Sequence, residues 1–387
     1  MDFDVKNKLY IAAAGAGKTT RLCELASDFS DRLKPSQKIL MLTYTSNNQV
    51  EVKERIKSKS FQLNIKVSGW YEFLLRYWIK PYIVDVIPGS LDECLWIKLE
   101  GGDSTIIKGK DGKYYRTYSA GDNRRKFLDG HRIRSEKIAE LAWLCYLKNK
   151  ESIVEKISIL FPLIIIDEAQ DLAGYDFEIV NEICKFENVY LRIACDPRQT
   201  TYHTSESSKY KEYKGRIDIF ATCKINTKGK KNIQIDTASL SGSFRCSAKI
   251  CEFANIIMSE YSPMSSYQQE TFPETGIVLL REDDVENYYQ SSRVIGHTCA
   301  VLRWNINTVI TNWNGIIENM GEVKGKTYDS VIIFLTGTMR KWLKNEGDLS
   351  QETRSKFYVA VTRARHYVAL VVDNSMSNPC RGLNVWE

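Results

Sequence analysis

Residues 12–19 read Ala12-Ala13-Ala14-Gly15-Ala16-Gly17-Lys18-Thr19. They stand between an apolar run at 9–13 and an amphipathic run at 20–33 that carries Leu22, Leu25, Ala26 and Phe29 on one side. A strand that breaks into small residues and reopens as a helix leaves few folds to choose from. Small residues let successive backbone N–H groups curl around an anion, and the start of the helix adds its dipole. Lys18 then reaches the β- and γ-phosphates of a nucleotide, with Thr20 just behind, and the Thr19 hydroxyl can ligate Mg²⁺. Ala12 stands where this loop ordinarily begins with glycine. A second apolar strand, Ile39–Thr43, and a helix at 49–58 with Val50, Val52 and Ile56 follow. The order is βαβα, which builds a parallel α/β sheet.

The second constraint is Leu163-Ile164-Ile165-Ile166-Asp167-Glu168-Ala169-Gln170-Asp171. Four aliphatics in a row form a buried strand that ends in acids. Its end points Asp167 at the Mg²⁺ beside Thr19 and places Glu168 to polarise an attacking water. Another continuous apolar strand lies at 189–194. Helices are predicted up to Ile79, before Pro81, and at 135–148, with Ile138, Leu141, Ala142 and Cys145 on one face. Turn-formers such as Gly101-Gly102-Asp103 and Lys110-Asp111-Gly112 mark an insertion with a hairpin or loop. A second βα-rich segment occupies 233–260, and a last α/β stretch at 293–374 carries apolar strands at 331–335 and 367–372. Two α/β domains joined near 200–235 fit this pattern.

Composition excludes several classes. The chain has 387 residues, 43% hydrophobic and 26% charged, so it is neither disordered nor collagen-like. Its longest candidate span, the six residues 161–166, falls far short of the roughly 20 needed to cross a bilayer. With no basic or apolar leader after Met1, a cytoplasmic protein is expected. Ten cysteines without a Cys-x-x-Cys, and four histidines, argue against a zinc site and for reduced thiols, several of them buried. The net charge of +6 is unevenly spread: residues 105–137 hold ten Lys/Arg against four acids, and residues 208–231 hold eight against two. Tyr114, Tyr115 and Tyr118 interleave the first run, and Tyr210 and Tyr213 the second. Each run is either a solvated face or a contact for nucleic-acid phosphates and bases.

Together with the loop, Asp167-Glu168-Ala169-Gln170-Asp171 resembles the superfamily 1 helicases of the UvrD/Rep type, and further motifs follow in that family's order. Leu42-Thr43-Tyr44-Thr45-Ser46-Asn47, with Glu54-Arg55-Ile56, resembles the motif that grips single-stranded DNA. Val67-Ser68-Gly69-Trp70-Tyr71-Glu72-Phe73 stands where the family has a second such motif; Trp70 is either a base-stacking residue or core. Ala194-Cys195-Asp196-Pro197-Arg198-Gln199-Thr200-Thr201-Tyr202 resembles the motif with a γ-phosphate-sensing glutamine, matched by Gln199, and a base-stacking aromatic, matched by Tyr202. Ser243-Phe244-Arg245-Cys246 implies that Arg245 touches the γ-phosphate. Lys324-Gly325-Lys326-Thr327-Tyr328-Asp329 resembles the Lys-Gly motif and implies Gly325 at the nucleotide. Tyr358-Val359-Ala360-Val361-Thr362-Arg363-Ala364-Arg365 resembles the last motif, with Arg363 as its arginine finger. The resemblance spans residues 9–370 and implies a compact form, with only 78 residues between Arg245 and Lys324.

It implies an α/β chain of two RecA-like P-loop NTPase domains with parallel sheets and an ATP cleft between them. The first is expected at 1–205, with an insertion at about 81–150, and the second at 206–387. The implied activity is an ATP- and Mg²⁺-dependent motor on single-stranded or partly duplex DNA, moving 3′-to-5′ and away from membranes. A second reading is a DNA-stimulated regulatory ATPase that loads or switches a partner nuclease, for example in an anti-phage defence module. A catalytically dead module is disfavoured by the intact Lys18, Asp167, Glu168, Gln199, Arg245 and Arg363.

Overall fold

The computed structural model describes residues 3–57, 64–90, 96–98, 105–109, 111–119, 121–201, 207–227, 229–269, 275–310, 312–375 and 380–386. The chain divides into two compact units. The first comprises 1–10, 19–197 and 203–236; the second comprises 11–18, 198–202 and 237–387.

The first unit is built on a six-stranded sheet in the order Gln234–Asp236, Asn7–Ile11, Tyr190–Cys195, Leu163–Ile166, Ile39–Thr43, Ile65–Gly69. Leu163–Ile166 lies parallel to both of its neighbours, and Ile39–Thr43 to Ile65–Gly69. The strands Ile39–Thr43 and Leu163–Ile166 are buried at every position. A strand covered on both faces cannot alternate polar and apolar residues, which is why these read as unbroken aliphatic runs. Each fully buried Ile or Leu contributes about 1.5–3 kcal/mol. The helix Lys18–Ser30 covers the sheet with Leu22, Leu25 and Ala26, all fully buried. The unit reaches past the expected boundary at 205. Gln234–Asp236 adds an edge strand beside Asn7–Ile11, pinned by a 2.8 Å ion pair from Lys8 to Asp236.

The helix expected at 135–148 runs Ile138–Leu160, with non-helical geometry at Asn149 (φ −131°, ψ 33°). Its second half repacks Ile153 and Ile157 into the core after that kink. Within the insertion, Ile106–Lys108 and Tyr114–Arg116 form an antiparallel ribbon whose described side chains are all exposed.

The second unit carries a five-stranded sheet in the order Gly276–Arg281, Ala364–Val372, Tyr328–Phe334, Cys299–Arg303, Ile316–Asn319, parallel throughout. Tyr288, Val301, Ile332, Ala369 and Val371 form its core, completely buried on one face. Both units are thus α/β with parallel sheets. No helix among the described residues is long and apolar enough to cross a membrane.

Candidate functional site

In a parallel sheet, successive strands deliver their following loops to one edge, the carboxyl end, where ligands of α/β folds bind. Tyr44, Trp70, Asp167 and Asp196 each follow a strand of the first sheet there. Thr19, in the first turn of the helix after Ile11, donates its hydroxyl to Asp167 Oδ2 at 2.8 Å. The Asp167 N–H is anchored on the Leu42 carbonyl, and its Oδ1 accepts the Glu168 N–H at 2.9 Å. A hydroxyl beside a carboxylate is the hard-oxygen donor set that suits Mg²⁺, which takes one or two carboxylates and completes its shell with water and phosphate. Among the described residues no cluster of three His, Cys, Asp or Glu side chains offers a site for a more protein-rich metal.

Glu168 adopts left-handed backbone geometry (φ 56°, ψ 39°), which costs a non-glycine residue roughly 1–2 kcal/mol. The turn persists because its side chain is held: the Gln170 amide N–H donates to the Glu168 carboxylate, and Gln170 Oε1 accepts the Asp196 N–H at 3.0 Å. Gln170 is completely buried. It ties the end of Leu163–Ile166 to the end of Tyr190–Cys195.

In the second unit, residues 12–18 form a tight loop. Ala12, Ala13, Ala14 and Ala16 are buried, as is Lys18. Gly15 and Gly17 take φ values of +72° and +79°. A Cβ on Gly15 would come within 2.6 Å of both Arg245 Cβ and Ser243 Oγ, so the site excludes any side chain there. The loop's backbone is engaged on several sides. Ala13 N–H donates to the Leu240 carbonyl at 2.8 Å, Ala14 N–H to the Tyr358 hydroxyl at 3.2 Å, and the Gly15 carbonyl accepts the Phe244 N–H at 2.9 Å. Arg198, buried against the Tyr261 ring, donates to the carbonyls of Ala12 and Ser262.

Arg363 and Gln199 meet. Arg363 Nη2 donates to Gln199 Oε1 at 3.3 Å, Nε to the Val359 carbonyl at 3.1 Å, and Nη1 to the Lys326 carbonyl at 3.3 Å. Both side chains are buried, and a buried guanidinium needs such acceptors to offset its lost hydration. Gly325, at φ +87°, shapes the turn that presents Lys326 to Arg363. Arg245 donates to the Thr362 carbonyl at 3.2 Å, so both arginines are tied to the end of the helix Gln351–Val361. Arg365 points elsewhere, exposed and paired with Asp329 at 3.1 Å. The Asp329 carboxyl is raised by burial, but hydrogen bonds from Thr298 and the Arg365 charge outweigh that and hold it below its usual value.

The residues expected to grip a strand fare unevenly. Thr43 is buried; Thr45 caps the helix Ser46–Ile56 through the Asn48 N–H. Tyr44 donates to the Tyr71 hydroxyl at 2.8 Å, and burial pushes both phenols up in pKa. Thr20 is exposed and accepts from Arg55 Nη1. Trp70 is a core residue: it is 1% exposed and donates its indole N–H to Asp176 at 2.7 Å, so it offers no face to a base. Tyr202 lies outside the described residues. In the second basic run, Tyr210 bonds Glu178 and packs on Phe220, and Lys209 pairs with Glu178. In the first, Tyr114 is 72% exposed, whereas Lys126 pairs with Glu140. Burial pushes the thiols of Cys23 and Cys299 up to about 11 and those of Cys145 and Cys184 to about 12, which keeps these four protonated.

Gln170, Arg198, Ser243 and Tyr358 all sit inside motifs read from the sequence, yet no role could be read for them there. Gln170 reaches Asp196, 26 positions away, Arg198 reaches Ala12 and Ser262, and Tyr358 reaches Ala14, 344 positions away, beyond the reach of local pattern. The sequence model for the viral superfamily 1 RNA helicase core domain matches residues 148–371, a span that holds Asp167, Glu168, Gln199, Arg245 and Arg363. No curated protein matches the chain. With more than half of its length so matched, the chain belongs to the viral superfamily 1 RNA helicase core family and is a superfamily 1 helicase.

Proposed function

We propose that this chain is an ATP-hydrolysing motor that moves along single-stranded nucleic acid, with its two parallel sheets as RecA-like lobes. The observation that carries this reading is the Thr19–Asp167 pair at the head of a glycine-bearing loop, with Glu168 held beside it by Gln170. In this reading residues 12–20 hold the phosphates, Lys18 neutralising them. Thr19 and Asp167 hold Mg²⁺, which when bound offsets phosphate charge. Glu168 accepts a proton from the attacking water. A general base of this kind contributes about 10²–10⁴-fold. Gln199, Arg245 and Arg363 act on the γ-phosphate, where a planar, permanently charged fork bonds two oxygens at once. Gly325 serves this group through the turn it forms.

The likeness to UvrD/Rep motifs supports DNA as the track and 3′-to-5′ travel, through Thr43, Tyr44, Thr45 and Tyr202. The family's description favours RNA instead. The test is ATP turnover with and without matched DNA and RNA oligonucleotides, followed by strand displacement on tailed duplexes. Stimulation by a single strand is expected; equal turnover with and without either oligonucleotide overturns the motor reading. Stimulation without displacement leads to the regulatory ATPase with a nuclease partner.

A further inference from the structure

The loop that the proposed function gives to nucleotide phosphates already has one backbone donor taken by a side chain from far along the sequence. Ala14 N–H donates to the Tyr358 hydroxyl, 344 residues away, at 3.2 Å. Both residues are fully buried, and the hydroxyl in turn donates to Met264 Sδ at 3.5 Å. A buried N–H requires an acceptor. Here the acceptor is a neutral phenol oxygen at the long end of the hydrogen-bond range.

An anionic phosphate oxygen makes a shorter bond to a backbone N–H, roughly twice as strong. The rest of the loop is held in shape independently, through Ala13 on Leu240, Gly15 on Phe244 and Ala12 on Arg198. Exchange at Ala14 therefore changes one bond without rebuilding the loop. We propose that the Tyr358 hydroxyl is a placeholder for a nucleotide phosphate oxygen on the Ala14 amide, and that a bound nucleoside triphosphate displaces it. This rests on the loop being the nucleotide site.

The position of Tyr358 gives the exchange a consequence. It lies in the helix Gln351–Val361, next to Val359, whose carbonyl holds Arg363 Nε, and one turn before Thr362, whose carbonyl holds Arg245. Release of the hydroxyl frees that helix from the loop, and with it the end to which both arginines are tied. Tyr358 is in this sense a positioning residue. By linkage, whatever the latch adds to the nucleotide-free state it subtracts from nucleotide affinity.

The test is Tyr358→Phe in the full chain, with binding of a non-hydrolysable ATP analogue and Mg²⁺ measured by calorimetry. The ring stays; the acceptor goes. The free protein is left with an unsatisfied buried donor that nucleotide satisfies, so affinity rises about 5- to 150-fold, the equivalent of about 1–3 kcal/mol. The melting temperature of the free variant falls, and saturating analogue narrows the gap from wild type. A residue with only a packing role gives the lower melting temperature without the tighter binding. Met264→Leu, which keeps the volume and removes the sulfur, moves affinity the same way by less, and it carries the test if Tyr358→Phe does not fold. Unchanged or weaker binding in whichever variants fold overturns the proposal. If wild type binds the analogue and Lys18→Ala does not, that failure leaves the nucleotide site standing; if Lys18→Ala binds as wild type does, both fall.

Discussion

Replacing Gln170 with Ala should slow ATP turnover while leaving nucleotide binding close to wild type. Two bonds are lost. The amide N–H to the Glu168 carboxylate is charge-assisted and worth about 1.5–3 kcal/mol. If it serves to hold Glu168 in its reactive place, its loss converts to about a 10- to 150-fold drop in kcat at 1.36 kcal/mol per tenfold. The left-handed backbone at Glu168 strengthens the expectation, because a conformation costing roughly 1–2 kcal/mol relaxes once its support goes. The second loss, the acceptor for the Asp196 N–H, falls on stability and costs about 1–3 kcal/mol. Thr19 and Asp167 bond each other without Gln170, so phosphate and metal binding should persist. Single-turnover hydrolysis beside equilibrium binding of an ATP analogue separates these effects. A variant that melts earlier yet hydrolyses ATP at the wild-type rate refutes the positioning role and leaves Gln170 as a structural tie between two strands.

Arg363→Ala should lower turnover by about 10³–10⁵-fold with only a modest loss of binding, as arginine fingers do, whereas Arg365→Ala, which breaks an exposed pair with Asp329, should change stability by less than about 1 kcal/mol; the reverse order in a turnover assay shifts the register by two. Glu168→Gln should bind Mg-ATP normally and lose about 10²–10⁴-fold in rate, and normal hydrolysis by this variant removes Glu168 as the base. Gly15→Ala should abolish nucleotide binding, since its Cβ has 2.6 Å to Arg245 and Ser243; wild-type affinity would mean the loop opens freely. Among the described cysteines, the exposed Cys223 should react first with a thiol reagent at pH 8, as mass spectrometry can show, because burial keeps Cys145 and Cys184 protonated with pKa values near 12.

Two strands of the first sheet were legible because they are buried on both faces and so carry near-continuous apolar residues. Leu163–Ile166 and Ile39–Thr43 fall where the apolar runs place them. Helix ends were less legible. Thr45 caps its helix five residues before Val50, the first of the periodic apolar positions, since a cap is a hydrogen bond and not a pattern. The helix Ile138–Leu160 outlasts its expected end because Asn149 bends it without ending it. Trp70 shows the limit of motif transfer: an aromatic at a DNA-gripping position is equally a core residue, and only its indole bond to Asp176 decides. The edge strand Gln234–Asp236 is three residues long, too short for periodicity to register, yet it carries the first unit past residue 205.

In each unit the candidate site residues are concentrated where the chain departs from its own preferences. Gly15 and Gly17 occupy positive φ because a side chain is excluded or would be strained, and Glu168 occupies it despite having one. Such conformations persist only where surrounding bonds over-determine them. Here those bonds come from residues to which motif reading gives no role: the Gln170 amide on the Glu168 carboxylate, and the Phe244 N–H on the Gly15 carbonyl. The first sheet supplies the stability margin for the Glu168 turn, since Leu163–Ile166 and its neighbour Ile39–Thr43 are buried at every position and Tyr190–Cys195 is buried from Leu191 onward. A substitution inside either sheet should therefore lower melting temperature and turnover together, whereas one at Gln170 or Arg363 should lower turnover by far more than its effect on melting predicts. That split is what distinguishes a residue that supports the fold from one that uses it.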